Sequence, residues 1–296
     1  MPTPAFFIAK ASSRHDSNLR TFDFRTTHDM VIPSSRAATL VRLDAFLPIA
    51  AHYARDRNHV IPGHSFVSRL SAAIRHRLIS EAEVVSAIVR VHSFRRVEKL
   101  IQEVYWRRYW KSWLSLRPEV WRDFLRELDV IGENPAVRRI EESQTGNRMM
   151  DYFANELVTT GHLHIHARRW FAAWWVHEAR LPWQSGAAFF FRHLLDGDPA
   201  SNTLSWRWVA GLQTPGKTHL ARRFNLEKYL APDLRDSLSD GLTAFENQQA
   251  LEPHTRAKPS VTGANSLGKA MRDALCETLG RNSPLAMRRT TCTRSA

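Results

Sequence analysis

The stretch from Thr145 to Trp208 constrains this chain most, because helix periodicity, helix stops and charged residues crowd into a short length. From Leu163, apolar residues recur at Ala167, Trp170, Phe171, Trp174 and Trp175. Residues at these intervals share one face at 3.6 residues per turn, so the segment predicts an amphipathic helix. Thr159, Thr160 and Gly161 break the preceding helical pattern, and Pro182 closes this one after Arg180. A second short helix over 185–195 runs into Asp196-Gly197-Asp198, where a glycine between two acids does not continue a helix. Two carboxylates therefore stand at a helix end. An acid at a buried turn needs a cationic partner, and Arg168 on the first helix is the expected partner of Asp196.

Fifteen phenylalanines and ten tryptophans in 296 residues supply a sizeable core, enough for one large domain or two small ones. Helical patterns recur and alternating strand runs do not, so the fold class is all-α. No GxGxxG follows a strand, which excludes a Rossmann unit as a dinucleotide site. The net charge of +13 suits a polyanionic partner such as DNA; a solvated basic surface is the plainer reading. The two cysteines, Cys276 and Cys292, exclude a disulfide scaffold and a four-cysteine iron–sulfur cluster within one chain, and they fit a reducing cytoplasm. The early apolar run from Ala5 to Ala9 is too short for a signal-peptide core or a membrane span. Asp16, Asp23 and Asp29 argue against a transit peptide. The expectation is a soluble, cytoplasmic protein with no membrane partner.

Residues 1–35 read as an irregular N-terminal arm, and a helical pattern spans Ala37 to Ala54. Ser68, Arg69 and Ser71 then precede a helical run from Ala72 to Leu78. Hydroxyls and a guanidinium at a helix opening suit a phosphate, although a serine N-cap explains them equally simply. Ser80 and Glu83 form a capping box. The helix from Glu98 to Leu114 has one apolar stripe, Val97, Leu100, Ile101 and Val104, and a second face of Glu103, Trp106, Arg107 and Trp110. His162, His164 and His166 alternate; on a helix they would point to different faces, so no metal site is expected. The loop after Gly211 carries Lys217, Arg222 and Arg223, which suits phosphate contacts or a basic surface. Residues 36–235 form the expected helical domain, and 236–296 a basic, mostly disordered tail.

The central motifs, with Thr145, Gly146, Asp151, Glu156, Leu157, Thr160, Gly161, His164, Ala167, Arg168, Trp183, Asp196, Gly197, Asp198, Ala200, Asn202, Trp206 and Trp208, resemble the FAD-binding domain of the DNA photolyase and cryptochrome family. The resemblance implies a helical fold that binds FAD. It places Asp196, Asp198 and Arg168 at the isoalloxazine ring, Asn202 opposite flavin N5, and Arg107 against the cofactor. Ser68, Arg69 and Ser71 correspond to the family's T-S-R-L-S diphosphate stretch, with Val67 in place of its threonine, and Tyr53 resembles a tyrosine placed a little earlier. Glu103, Trp106 and Trp208 match residues that hold a flipped pyrimidine dimer. Trp206 and Trp183 match the proximal and middle members of a tryptophan chain feeding electrons to photoexcited FAD, though buried indoles at helical spacing also serve as plain core. The distal member falls near Val130 and is missing, and Trp121 replaces it only with a different helix packing; a detour through Trp174, Trp175 or Trp170 stays open.

Several positions depart from the family pattern. Ile165 replaces an asparagine, His166 an arginine and Arg169 a methionine, and the histidines that (6-4) photolyases carry at the positions of Ile165 and Arg169 are absent. Residues 1–35 leave no room for the family's antenna chromophore domain. The resemblance implies a light-driven flavoprotein, with deoxyribodipyrimidine photolyase activity on cyclobutane dimers in DNA as one expectation. A non-catalytic light or redox sensor acting through a protein partner is the other.

Overall fold

The computed structural model describes residues 32–214 and 217–251. The N-terminal arm up to residue 31 and the tail from residue 252, with both cysteines, lie outside the described residues.

Among the described residues the protein is helical, without strands. Ser35 starts helix α1 (Arg36–Phe46) by accepting from the Ala38 backbone N–H at 3.2 Å. The single helix expected over 37–54 does not form. Pro48 cannot donate to a helical ladder, and the chain passes through a 3₁₀ segment (Leu47–His52) before α2 (Tyr53–Asp56). After the short α3 (Ser71–Arg75), α4 (Glu81–Val91) opens on the expected capping box: Ser80 Oγ accepts from Glu83 N at 3.2 Å, and Glu83 Oε2 accepts from Ser80 N at 2.9 Å. The long α5 (Phe94–Ser115) is followed by α6 (Pro118–Ile131) and α7 (Pro135–Glu141), each with proline in its first turn, where the lost N–H has no helical partner to lose.

Helix α8 (Arg148–Thr160) is capped by Asn147 at one end and by left-handed Gly161, φ 68°, at the other. Helix α9 (Ile165–Ala173) continues into a π-helical turn (Trp174–Glu178), and its predicted stripe, Leu163 to Trp175, is buried. Helix α10 (Trp183–His193) packs against α11 (Pro199–Val209), which in turn crosses α5. The domain does not stop at residue 235. Beyond α12 (Arg223–Tyr229) and α13 (Pro232–Ser237), a 3₁₀ segment (Ser239–Phe245) buries Leu242 and Phe245. It is tied down by Asn147 Nδ2, which donates to Gly241 O at 3.0 Å, and just beyond it Gln248 Oε1 accepts from Ala221 N at 2.9 Å. Apolar periodicity is weak in so short a segment, which is why composition assigned it to the tail.

Two hydrophobic clusters carry the structure. One gathers α1, α3, α4 and the first half of α5 around Leu43, Phe46, Leu70, Ile88 and Ile101. The larger one gathers α8 to α10 and the final segments around Phe153, Trp170, Phe171, Trp175 and Phe189. Val60 reaches into the larger cluster through a parallel bridge to Leu230, with Val60 N donating to Tyr229 O (2.8 Å) and Ala231 N to Val60 O (3.0 Å). None of the described helices is long and apolar enough to cross a membrane.

Candidate functional site

Between the two clusters lies a seam of charged and polar groups centred on Asp196. Two helix ends build it. Leu195 N donates to Gly161 O at 2.9 Å, joining the turn that ends α8 to the turn that follows α10. This brings Asp196 beside the first turns of α9, where the expected partner waits: Arg168 Nη1 donates to Asp196 Oδ2 at 3.2 Å, and Nη2 lies 3.0 Å from Oδ1. That second contact is an ion contact without an aligned hydrogen bond, so Oδ1 keeps no hydrogen-bond donor. Arg168 Nε is spent on Leu163 O at 2.7 Å, which fixes the plane of the guanidinium. Arg107 of α5 approaches Asp196 Oδ2 from the other side at 3.8 Å. Burial on its own would raise the Asp196 carboxyl, but Arg168 and then Arg107 more than offset it and hold it well below the ordinary carboxylate range.

Asp198 does different work. Its Oδ1 caps α11 by accepting from Ala200 N (3.1 Å) and Ser201 N (3.0 Å), while Oδ2 faces Lys111 at 3.3 Å and Arg75 at 3.9 Å. Burial opposes its ionisation, yet the Ser201 bond and Lys111 keep its pKa lowered. Asn202, one turn into α11, donates its amide to Ala187 O at 2.7 Å. Its side chain thus braces α11 on α10.

Ser71 reaches the crevice at Asp196 from the other cluster, and the Arg69 charge acts on His162 beside it, whereas the Ser68 hydroxyl accepts from Leu70 N at 3.3 Å. Neither serine is an N-cap, because Leu70 takes that place without a side-chain bond. Arg69 is held at φ 59°, and Arg42 clamps the turn by donating to the carbonyls of Ser68 (2.8 Å) and Val67 (3.0 Å). Burial, then the Arg69 charge, lowers Arg42 to about 10. Ser71 and Asp196 line a narrow crevice, too tight for a water molecule, together with Ile32, Ala72, Gly161, His162 and Leu195. Buried polar atoms without hydrogen-bond partners collect around this seam: Arg69 Nε, Arg107 Nη1 and Asp196 Oδ1. Natural interiors satisfy nearly all such groups, so these call for a polar ligand. Asp196 and Ser71 on the crevice, with Arg168 and Arg107 held on Asp196, are acceptor and donor types that a flavin dinucleotide needs, and in kind these residues fit FAD. The crevice as it stands has no room for a cofactor, whose usual sites span roughly 300–1,000 Å³.

The residues matched to lesion binding form a separate face. Glu103 receives Arg57 at 2.8 Å and Lys99 at 3.0 Å, and half-buried Tyr53 joins this group, its hydroxyl pushed up to about 12 by burial and by Glu103. Tyr53 therefore belongs with Glu103 and lies apart from Ser68 and Ser71. Trp106 stacks on Trp110 with centroids 5.4 Å apart, and Trp208 stacks on His219 at 4.7 Å. Arg169, buried and lowered by that burial, sits within reach of Glu103's charge.

Of the tryptophans, Trp206 is fully buried with Trp175 edge-on at 5.9 Å, and Gly186 is what lets the two indoles approach: a Cβ there would stand 2.4 Å from Trp206. Trp175 is thus the member of the three detour candidates that touches Trp206. Trp183 packs instead on Phe124 at 5.6 Å, and Phe124 on Trp121 at 5.1 Å. Trp121 thereby reaches Trp183 through one phenylalanine, while Val130, at the expected distal position, is 87% exposed.

The histidines were misplaced by periodicity. His162 and His164 precede α9 in an extended turn, and both rings converge on His64, with centroids 5.0 and 5.3 Å away. His64 Nε2 is hydrogen-bonded to Glu156 of α8, and all four side chains are buried. His64 had no sequence signal, since Glu156 is 92 positions away. His166, on α9 itself, bonds Asn58 and Asn225 at 3.2 and 2.9 Å.

Comparison with known proteins agrees with this architecture. Residues 100–231 match the family described as the FAD binding domain of DNA photolyase. A deoxyribodipyrimidine photo-lyase of Streptomyces griseus is 30% identical over 149 residues, half of this chain and 32% of the relative. A chloroplastic/mitochondrial cryptochrome DASH of Ostreococcus tauri is 30% identical over 197 residues, 60% of this chain and 33% of the relative. The chain thus spans about a third of the length of these relatives. In fold it is similar to the crystal structure of the Synechocystis sp. PCC6803 cryptochrome, with a TM-score of 0.60 at 19% identity, over 73% of this chain and 47% of that one. Over residues 100–231 this chain is therefore similar to the FAD-binding domain of DNA photolyase.

Proposed function

We propose that the protein is a flavoprotein that holds FAD in the seam between its two hydrophobic clusters and repairs cyclobutane pyrimidine dimers in DNA under blue light. The observation that carries the reading is the meeting at Asp196 of Arg168 from α9 and Arg107 from α5, with Ser71 of α3 lining the same crevice. When bound, FAD would supply photoexcited electron transfer to the lesion. The chain's own residues bind and position. Arg168 and Arg107 keep Asp196 ionised as an acceptor for a ring N–H, and Arg69 with Ser71 offers donors to the diphosphate. Glu103, pinned by Arg57 and Lys99, together with Trp106 and Trp208, would present an acid and two indole faces to a flipped pyrimidine dimer. The net charge of +13 over the whole chain favours a polyanionic partner.

The sensor reading draws on the ion pairs of Glu103, which already neutralise the acid that would grip a lesion. One experiment separates the two. The purified protein is loaded with FAD, reduced, and illuminated with a thymine-dimer oligonucleotide. Repair is expected, falling about tenfold in Glu103→Ala, equivalent to about 1.4 kcal/mol. Flavin photoreduction with intact dimers would replace this reading with the sensor, and protein that takes up no FAD would end both.

A further inference from the structure

The fold gathers a second set of polar groups beneath the seam. His64 from the 3₁₀ turn Pro62–His64, Glu156 from the last turns of α8, and His162 from the turn before α9 bring their ligand atoms to within 4.8 Å of one another. Their relative exposures are 4%, 4% and 7%. Within this group His64 Nδ1, Glu156 Oε2 and His162 Nδ1 have no hydrogen-bond partner. Three buried groups with unused lone pairs or protons, facing one another in a dry interior, are a costly arrangement unless something joins them.

We propose that His64, Glu156 and His162 bind a zinc ion, held by the two imidazoles and the carboxylate. Zinc takes such a two-histidine, one-carboxylate set at about 2.0–2.2 Å per ligand. Tetrahedral ligation at those lengths separates ligand atoms by roughly 3.3 Å, so the present group closes onto an ion by side-chain shifts of roughly 1.5 Å or less. His64 and Glu156 already meet in a hydrogen bond, and the ion replaces the proton between them.

His164 is not a ligand. Its Nδ1 accepts from the His166 backbone N–H at 3.1 Å, so in the neutral ring the proton sits on Nε2 and no lone pair is left there. It is a positioning residue, stacked on His64 with ring planes 28° apart, which fixes the orientation of the ligand ring. Among the three ligands His162 alone lines the crevice shared with Asp196. The burial of all three ligands leaves the ion at most one open position. A six-coordinate ferrous site, which needs three open positions beside the same ligand types, does not fit this enclosure. Asp196 and Arg168, next to His162, compensate one another's charge, so Glu156 carries the counter-charge of the ion.

The site adjoins the proposed flavin seam through His162, so its test reads metal directly, with and without flavin. Tag-free wild-type protein is stripped with EDTA, with and without FAD, then titrated with Zn²⁺ against a chromophoric chelator, and its metal content is measured by mass spectrometry. One zinc per chain is expected in both forms. Co²⁺ in its place is expected to give the visible d–d bands of a four-coordinate ion, beyond the flavin absorption. Glu156→Gln and His162→Gln should each weaken zinc by at least about tenfold, whereas His166→Gln, outside the group, should retain it. Sub-stoichiometric zinc in the wild type overturns the proposal whether or not the variants fold. Undiminished zinc in folded Glu156→Gln does so as well.

Discussion

Asp196 is almost wholly withdrawn from water and depends on two guanidiniums for its charge. Removing one partner of a buried pair leaves an uncompensated ion, which costs far more than the pair contributes. Arg168→Met is therefore expected to destabilise the fold by about 3 kcal/mol, a fall in Tm of about 6–12 °C for a domain of this size. Thermal unfolding followed by circular dichroism checks this, and an unchanged Tm would mean that Arg107 alone suffices. The Arg168–Asp196 pair was legible in the sequence because a carboxylate at a buried turn narrows its partners to the few cations nearby. The His64–Glu156 contact was not, since neither residue breaks a local pattern and only the tertiary fold brings them together. The amide of Asn202 shows the same limit: position along α11 was readable, but what its donors hold depends on a carbonyl of α10.

At the scale of elements, local chemistry announced most boundaries. Ser80 with Glu83, and Gly161, each act within one turn, so a short window contains the whole cause. The failures came where apolar spacing outran such signals. Helical periodicity extended across Pro48 although the backbone could not follow, and it drew His162 and His164 into a helix that begins at Ile165. The final 3₁₀ segment was missed because seven residues are too few to show a period. Its burial has a measurable weight: ending the chain after residue 235 exposes the surfaces that Leu242, Phe245 and Gln248 cover. Each apolar side chain contributes about 1.5–3 kcal/mol when buried, so this truncation should lower the urea midpoint markedly relative to a chain ending at 251. Equal midpoints would show that the segment docks without contributing.

For the whole molecule, the all-α class followed from composition and periodicity, whereas the division into two apolar clusters with an ionised seam did not. Both clusters are built from the same residue types, and nothing local marks where one ends. The same interior encloses histidines that ionise poorly. Burial, offset only in part by Asn225, lowers His166 to about 4, and burial likewise lowers His219 to about 4. Their ordinary value is about 6.5, so the unfolded chain binds more protons between the two. The stability they confer is complete above about pH 6.5 and is lost as pH falls towards about 4. Asp196 remains ionised throughout that window, so the histidines set the slope. Urea unfolding at pH 7.5, 6.0 and 5.0 is expected to give successively lower midpoints, and a flat series would contradict the burial of these rings.

The bridge from Val60 to Leu230 and Ala231 closes the chain into a ring, and Arg69, Arg107, Arg168 and Asp196 all lie on the enclosed arc. Main-chain amides make this clasp, so it is indifferent to which side chains occupy either end. A frame fastened in that way tolerates drift among the groups it encloses. Chemistry at its centre is free to be rewritten while the perimeter stays shut.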